Sequence, residues 1–216
     1  GGLVVNVGKM EEFLGFLFGA KRRYNIIDPS NGQTILVAHG NSEFTPLQFL
    51  GGQRPITITI NKPNGNQLMS VHRDFSWFIS HIEMISPDGT HLGKLESRLR
   101  LIRRQLDLFD ENDLVATVHG SFVAGSHFSV RKASRSIALI TKLLSRISPQ
   151  VTLADDTYYL EFTDRSLPES IRWLLLAASL MIHAKRAWRG AVIRSDSAHG
   201  DTHDPRESAR SLIFLG

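Results

Sequence analysis

The chain contains no cysteine. That removes disulfide staples, thiolate metal ligands, thiol nucleophiles and S-acylation from consideration, and it fits a reducing compartment. No large excess of one charge is present either. Against 25 Lys and Arg stand 21 Asp and Glu, a formal net charge of +4, which favours anionic surfaces weakly. The basic residues are too few, and too little interleaved with aromatic platforms, for a nucleic-acid binder. The opening "GGLVVNVGKMEEFLGFLFGAKRR" has no basic stretch before an apolar run, so it does not read as a secretory signal. Phosphate-binding and dinucleotide fingerprints are missing, as is a G-x-S-x-G elbow. The nine histidines do not gather at metal spacing. His199 and His203, with Asp201 and Asp204, form at most a weak metal tract in a polar tail. No catalytic residue is nominated, and the chain is expected not to be an enzyme.

Long apolar runs are also lacking. The longest is "RWLLLAASLMIHAKR", with 12 uncharged residues between Arg172 and Lys185. At 1.5 Å per residue these reach about 18 Å, whereas a bilayer core needs about 30 Å. Ser179 and His183 interrupt the run further. A buried core helix is the first reading, a shallow interfacial helix the second and a spanning helix the last.

What the sequence does have is hairpins. "RRYNIID" and "TILVAH" flank "PSNG", "ITITIN" and "QLMSVHR" flank "KPNGN", and "SHIEMIS" and "HLGKLES" flank "PDGT". "RQLDLFD" and "LVATVHG" flank "END", and "FSVRK" and "SIALITK" flank "ASR". Asn-Gly and Asp-Gly supply the positive φ that tight turns need, and β-branched alternation surrounds them. In "PITITIN", Ile56, Ile58 and Ile60 share one face and Thr57 and Thr59 the other. The apolar phase slips between Leu101 and Leu106, which points to a bulge or corner near Ile102–Arg104. Adding a strand around Pro149–Leu153 and one at "TYYLEF" gives about twelve.

Ser166 and Glu169 form an S-x-x-E capping box with Pro168 in the first turn. The helix that follows is apolar nearly all round, so it must be surrounded. A closed sheet of about twelve strands is wide enough to hold it. The expected fold is therefore mainly β: a closed antiparallel barrel over residues 22–188, enclosing a hydrophobic helix over about 167–187. Residues 1–21 are expected to form an N-terminal segment. Residues 189–216, polar and poor in large apolar side chains, read as a disordered tail.

The segments "YNIIDPSNGQTILVA", "QRPITITINKPNGNQLMSVHRDFSWFISHIEMISPDGTHLGKLESR", "FSVRKASRSIALITK" and "DDTYYLEF" resemble, in this order, the phospholipid scramblase family. The likeness runs from Tyr24 to Ala184, and "RPITITI…VHRDFSWFISHIEM" carries it best. It implies a Tubby-like barrel, shared with the plant LURP-one-related proteins and the Tubby C-terminal domain. It also implies association with phospholipid membranes and, for some members, calcium-stimulated movement of lipid between leaflets. The alternative is a soluble Tubby-like module that binds anionic headgroups or a protein partner without transport. A peripheral position at the inner, cytoplasmic face of the cell membrane is expected.

The resemblance places a calcium-loop segment at Ala154–Arg165. Ala154 and Arg165 stand where the family has acids, leaving Asp155, Asp156, Glu161 and Asp164 as candidate ligands for an ion that wants six to eight oxygens. Exposed acids on a closing strand explain the same residues without calcium, so no cofactor is expected. Candidate headgroup contacts are Arg98, Arg100, Arg103 and Arg104, with Lys132 and Arg135 beside them, and Lys185, Arg186 and Arg189 after the helix. Each basic set has a plainer explanation: a solvated strand face for the first, and complementarity to the helix dipole for the second.

Overall fold

The computed structural model describes residues 1–7, 21–42, 55–75, 80–99, 104–120, 126–143 and 157–198. Twelve strands succeed one another in chain order. They are β1 (Gly2–Val7), β2 (Lys21–Ile27), β3 (Thr34–Ser42), β4 (Ile56–Asn61), β5 (Gln67–Arg73), β6 (Ser80–Ile85), β7 (His91–Leu99), β8 (Arg104–Asp110), β9 (Asp113–Gly120), β10 (His127–Lys132), β11 (Arg135–Leu143) and β12 (Thr157–Phe162). Each pairs antiparallel with its sequence neighbours, and β1 pairs with β12, so the meander closes into a barrel. A helix, α1 (Glu169–Ala198), follows.

The closing strand β1 lies in the segment that the sequence reading left outside the barrel. Val5 sits opposite Tyr158 of β12 on one side and Ile26 of β2 on the other. Its apolar residues, Leu3, Val4 and Val5, run consecutively rather than alternating, and its partners are distant in sequence, so no local signal marks it. The strand expected at Pro149–Leu153 and the corner expected at Ile102–Arg104 lie mostly outside the described residues. β7 ends at Leu99 and β8 begins at Arg104.

Alternation sorts the strands into an inner and an outer face. One inner row runs Gly40, Ile58, Val71, Met84, Gly93 across five strands. Another runs Ile56, Arg73, Ile82, Leu95, Leu108, Ala116. All of these are buried. Fully burying each large aliphatic side chain contributes about 1.5–3 kcal/mol.

The two ends of the barrel differ. Five tight turns, 28–33, 62–66, 86–90, 111–112 and 133–134, cluster at one end, which we call the lower rim. At Asn-Gly and Asp-Gly the glycines take φ of 71°, 91° and 88° (Gly32, Gly65, Gly89). Each of these three turns is closed by a backbone bond, such as Lys62 N to Asn66 O at 2.8 Å. A register shift next to each of the five turns lets the strands twist into the bend. The connections 8–20, 43–55, 74–79, 100–103, 121–126 and 144–156 all join strands at the other end, the upper rim.

The chain passes from β12 to α1 at the lower rim. Ser166 does not cap the helix as the S-x-x-E spacing suggested. Its backbone N–H and its hydroxyl both donate to Asp164 Oδ1, at 3.0 and 2.6 Å, so a D-x-S turn outcompetes the capping box. The first helical bond runs from Arg172 N to Pro168 O. Ser170 Oγ then donates to Asp110 Oδ2 at 2.8 Å, pinning the helix start to the end of β8. The chain divides into two compact units, Gly1–His183 and Ala184–Gly216. The first is the barrel with the opening turns of α1; the second begins with the helical residues through Ala198.

Candidate functional site

The inside of the barrel is full. Every α1 residue from Leu174 to His183 is at most 1% exposed, which a helix without a polar face requires. Leu174 reaches the wall at Gly93, where a Cβ would lie 3.0 Å from Leu174 Cδ2. The Ser179 hydroxyl donates back to Leu176 O at 2.7 Å, so this polar group is satisfied within its own helix. His183 packs edge-on against Tyr24 at 5.3 Å and Tyr158 at 5.5 Å, one ring from each side of the seam strand β1. Burial pushes the Tyr24 phenol up to about 12, partly opposed by the nearby Arg22 charge. Arg73, 3% exposed, stands in the otherwise apolar inner row, and burial pushes its guanidinium down to about 10. It keeps its charge at neutral pH. The polar groups inside the barrel are thus built into its packing, and among the described residues α1 occupies the interior.

The outer wall is polar. Across five strands one outward row reads Thr57, His72, Glu83, Lys94, Phe109, and the next reads His81, Glu96, Asp107, Thr117, Arg131. Lys94 Nζ lies 3.4 Å from Glu96 and 5.0 Å from the Phe109 ring centre. Buried Asp107 accepts from Gln105 Nε2 at 2.7 Å and Thr117 Oγ1 at 3.0 Å. A barrel that crosses a bilayer carries an apolar band outside; these rows have the opposite arrangement. Among the described residues no helix is long and apolar enough to cross a membrane.

At the lower rim, beside the helix start, lies an open cavity of about 500 Å3. Leu3, Ile35, Phe162, Leu167, Trp173 and Leu176 supply its apolar lining. Glu169 and Arg172 stand at its edge and are tied down. Trp173 Nε1 donates to Glu169 Oε1 at 3.1 Å. Arg172 donates to Arg165 O at 2.8 Å and lies over the Phe162 ring at 5.9 Å.

The residues nominated from sequence scatter over this frame. Arg98 and Arg104 belong to β7 and β8 where these reach the upper rim; Arg100 and Arg103 lie outside the described residues. Lys132 and Arg135 are not beside them. They face each other at the 133–134 turn on the lower rim, because successive antiparallel strands carry the chain from one end to the other. Lys185, Arg186 and Arg189 fall in the helical part of the second unit.

Of the calcium candidates, Asp155 and Asp156 lie outside the described residues. Glu161 is exposed on β12, opposite Leu139 and Gly2. Asp164 is committed to its turn. The Ser166 hydrogen bonds, with Arg135 at 3.7 Å from Oδ2, hold its carboxyl below the usual range. An ion there would have to displace those donors. Among the described residues no group of three or more His, Asp or Glu is arranged to hold a metal, so Glu161 and Asp164 by themselves do not fit a six-oxygen calcium site. Sequence reasoning missed Arg73 and Tyr24. The alternation in "SVHR" puts Arg73 on the inner face with Val71, but nothing local says that the face is occupied by a helix.

These observations define the fold class: a closed antiparallel barrel occupied by its own C-terminal helix, with polar outward rows. The family model described as Scramblase matches residues 3–186, and the chain belongs to that family. Its match begins within β1, in agreement with that strand's place in the wall. The family is not one of catalytic enzymes, and membership supports a lipid-related role in general. No curated protein and no solved structure matches the chain.

Proposed function

We propose that this protein associates with the surface of phospholipid membranes and acts on lipid without covalent chemistry. The observation that carries this reading is the Scramblase match over residues 3–186 on a barrel whose interior is occupied. Anionic headgroups are the partners, met by a set that includes Arg98, Arg100, Arg103 and Arg104. Each surface cation near an acidic bilayer contributes about 1 kcal/mol. Any lipid that changes leaflet does so along the outside of the barrel, or else α1 leaves and exposes its apolar surface. The filled interior and polar wall equally favour a Tubby-like binding module that holds headgroups without moving them.

Reconstitution separates the two. Purified protein is placed in liposomes bearing a fluorescent lipid in both leaflets, and a membrane-impermeant quencher is added with and without calcium. Loss of the protected inner-leaflet signal supports transport. Salt-sensitive sedimentation with anionic liposomes, without that loss, assigns the binding module. Calcium independence in this assay agrees with the turn role of Asp164.

A further inference from the structure

The first turns of α1 are held to one side of the barrel. Ser170 is bonded to Asp110, at the end of β8, at 2.8 Å. Leu174 meets β7 at Gly93, where a Cβ would come within 3.0 Å of Leu174 Cδ2. In a ring of twelve strands β7 stands across from β1, and β8 across from β2. A helix held against one wall leaves a gap at the other. The cavity of about 500 Å3 lies in that gap, where Leu3 of β1, Ile35 and Leu36 of β3 and Phe162 of β12 face Trp173 and Leu176 of α1.

A bulge in β3 adds to the apolar wall. Ordinary alternation sends successive residues to opposite faces of a strand. Here the register passes from Ile26 opposite Leu36 to Ile27 opposite Thr34, and Ile35 has no opposite residue. Such a shift re-aims side chains, and both Ile35 and Leu36 line the cavity. Ile35 stays 38% exposed, one of two large hydrophobic side chains so exposed among the described residues. Trp173 is half-buried and its indole N–H is already bonded to Glu169, so the ring offers the cavity apolar surface.

The mouth carries both signs of charge, held apart. Glu169 and Arg172 are three residues apart on α1, a spacing at which opposite charges ordinarily meet. Among the described residues no ion pair joins them. One Glu169 oxygen accepts from Trp173 Nε1, while Arg172 donates to Arg165 O and lies over the Phe162 ring. The carboxylate keeps its second oxygen and the guanidinium keeps further N–H donors. Of the other acids at this rim, Asp28 is taken up by Ser30, and Asp164 by Ser166 and Arg135. Exposed Glu161 and Arg165 add one charge of each sign. A purely anionic head at the mouth would face Glu169, and a purely cationic one Arg172. A head with separate positive and negative groups satisfies both.

We infer that the lower-rim cavity binds a single-chain zwitterionic phospholipid. Its hydrocarbon chain fills the cavity, its phosphate meets Arg172, and its ammonium group meets Glu169 and the Trp173 indole. The volume falls among the about 300–1,000 Å3 of small-molecule sites, which likewise combine an apolar lining with a few placed polar groups. This goes beyond the membrane-surface reading, since it assigns a stoichiometric site that does not depend on binding to a bilayer.

Trp173 reports on its own cavity. The full chain with Trp77→Phe and Trp188→Phe is titrated with lysophosphatidylcholine that carries bromine on its chain, below the micelle concentration. Trp173 emission should fall and saturate at one lipid per chain. Lysophosphatidylglycerol of the same chain length, which is anionic, should bind about fivefold more weakly, an exposed charge contact's worth. Arg172→Gln should weaken lysophosphatidylcholine about fivefold. Glu169→Gln should weaken it similarly yet strengthen lysophosphatidylglycerol, a reversal that looser packing of the helix would not produce. Ile35→Asn, at an exposed position, should weaken both lipids about tenfold by making the wall polar.

Equal affinity for the two lipids, or tighter binding of lysophosphatidylglycerol, overturns the zwitterionic ligand. Emission that neither lipid changes, or quenching that never saturates, overturns the site. Quenching by vesicles of brominated two-chain phosphatidylcholine, with none by the single-chain lipid, makes the occupant a bilayer lipid and overturns the assignment. Failure to sediment with anionic vesicles, by contrast, overturns the membrane-surface reading and not this one.

Discussion

The two rims of this barrel are made from the same twelve strands, yet they solve opposite problems. At the lower rim every chain reversal is short and polar. Asp28, Asp88 and Asp164 each accept hydrogen bonds from serines two residues away, and the helix is anchored there through Ser170 and Asp110. At the upper rim the sequences joining the strands are mostly longer and richer in phenylalanine, and the interior at that end holds Tyr24, Tyr158, His183 and Arg73 where the lower half holds aliphatics. Turns that only reverse the chain are free to be short and water-loving.

The largest effect that would test the shared premise comes from the helix between the rims. Leu175 is fully buried. Leu175→Ala should cost about 2–5 kcal/mol. Leu175→Asp should abolish folding, since it buries an unpaired charge. Leu114→Ala, at a position 56% exposed on the lower rim, should stay within about 0.5 kcal/mol of wild type. Circular dichroism melts read all three. A soluble, folded Leu175→Asp protein would remove the helix from the barrel and the comparison with it.

Next in size is the alkaline titration of Tyr24 in the upper interior. The folded-state Tyr24 phenol, raised to about 12 from an ordinary value near 10, holds its proton more tightly in the folded chain than in the unfolded one. Its contribution is complete below about pH 10 and is lost as pH rises toward 12, at about 1.4 kcal/mol per pH unit. Relative to Tyr24→Phe, the wild type should lose about 2–3 kcal/mol of stability between pH 10 and 12. Arg73, pushed down to about 10 by burial, pulls the other way over the same pH range by a comparable amount, but it is present in both proteins, so their difference isolates Tyr24. Denaturant melts of the two proteins at successive pH values measure it; parallel profiles would place Tyr24 in water.

Smaller, and confined to the lower half, is the close contact at Gly93. It has φ of 145°, and a Cβ would lie 2.8 Å from Phe109 O and 3.0 Å from Leu174 Cδ2. Gly93→Ala should cost about 1–3 kcal/mol. Adding Leu174→Ala should not restore stability, because the backbone strain and the Phe109 clash persist. Thermal melts of the single and double variants check this, and full recovery would reduce the effect to side-chain crowding.

Much of this comparison was legible before any coordinates. The lower rim announces itself in "PSNG", "KPNGN" and "PDGT", because a tight turn is a local event with a local chemistry. Burial of the helix was legible from its missing polar face. Closure by β1 was not, since "GLVVNV" has no alternation and pairs with a strand some 155 residues away. The capping box at Ser166 was misleading, because two local hydrogen-bonding patterns competed and Asp164 won. The headgroup candidates were read one strand at a time. That put Lys132 and Arg135 beside Arg98, although strand direction sends them to the opposite end.

The smallest expected effect sharpens the contrast by its sign. Hydrogen bonds from Ser30, Ser86 and Ser166 hold the carboxyls of Asp28, Asp88 and Asp164 below the usual carboxylate range. Each therefore binds its proton less readily in the folded chain. Their contribution is present above the unfolded value near 4 and is lost as pH falls through the lower folded values. All three lie on the lower rim and none is fully buried, so each loss is modest. The Asp88→Asn and Asp164→Asn pair should shallow the acid limb of the stability curve while leaving the alkaline limb, where Tyr24 and Arg73 titrate, as in wild type. A change in both limbs would mean that the two rims unfold together through a shared element, and α1, which is anchored at Asp110 and packed against Tyr24, is the element that joins them.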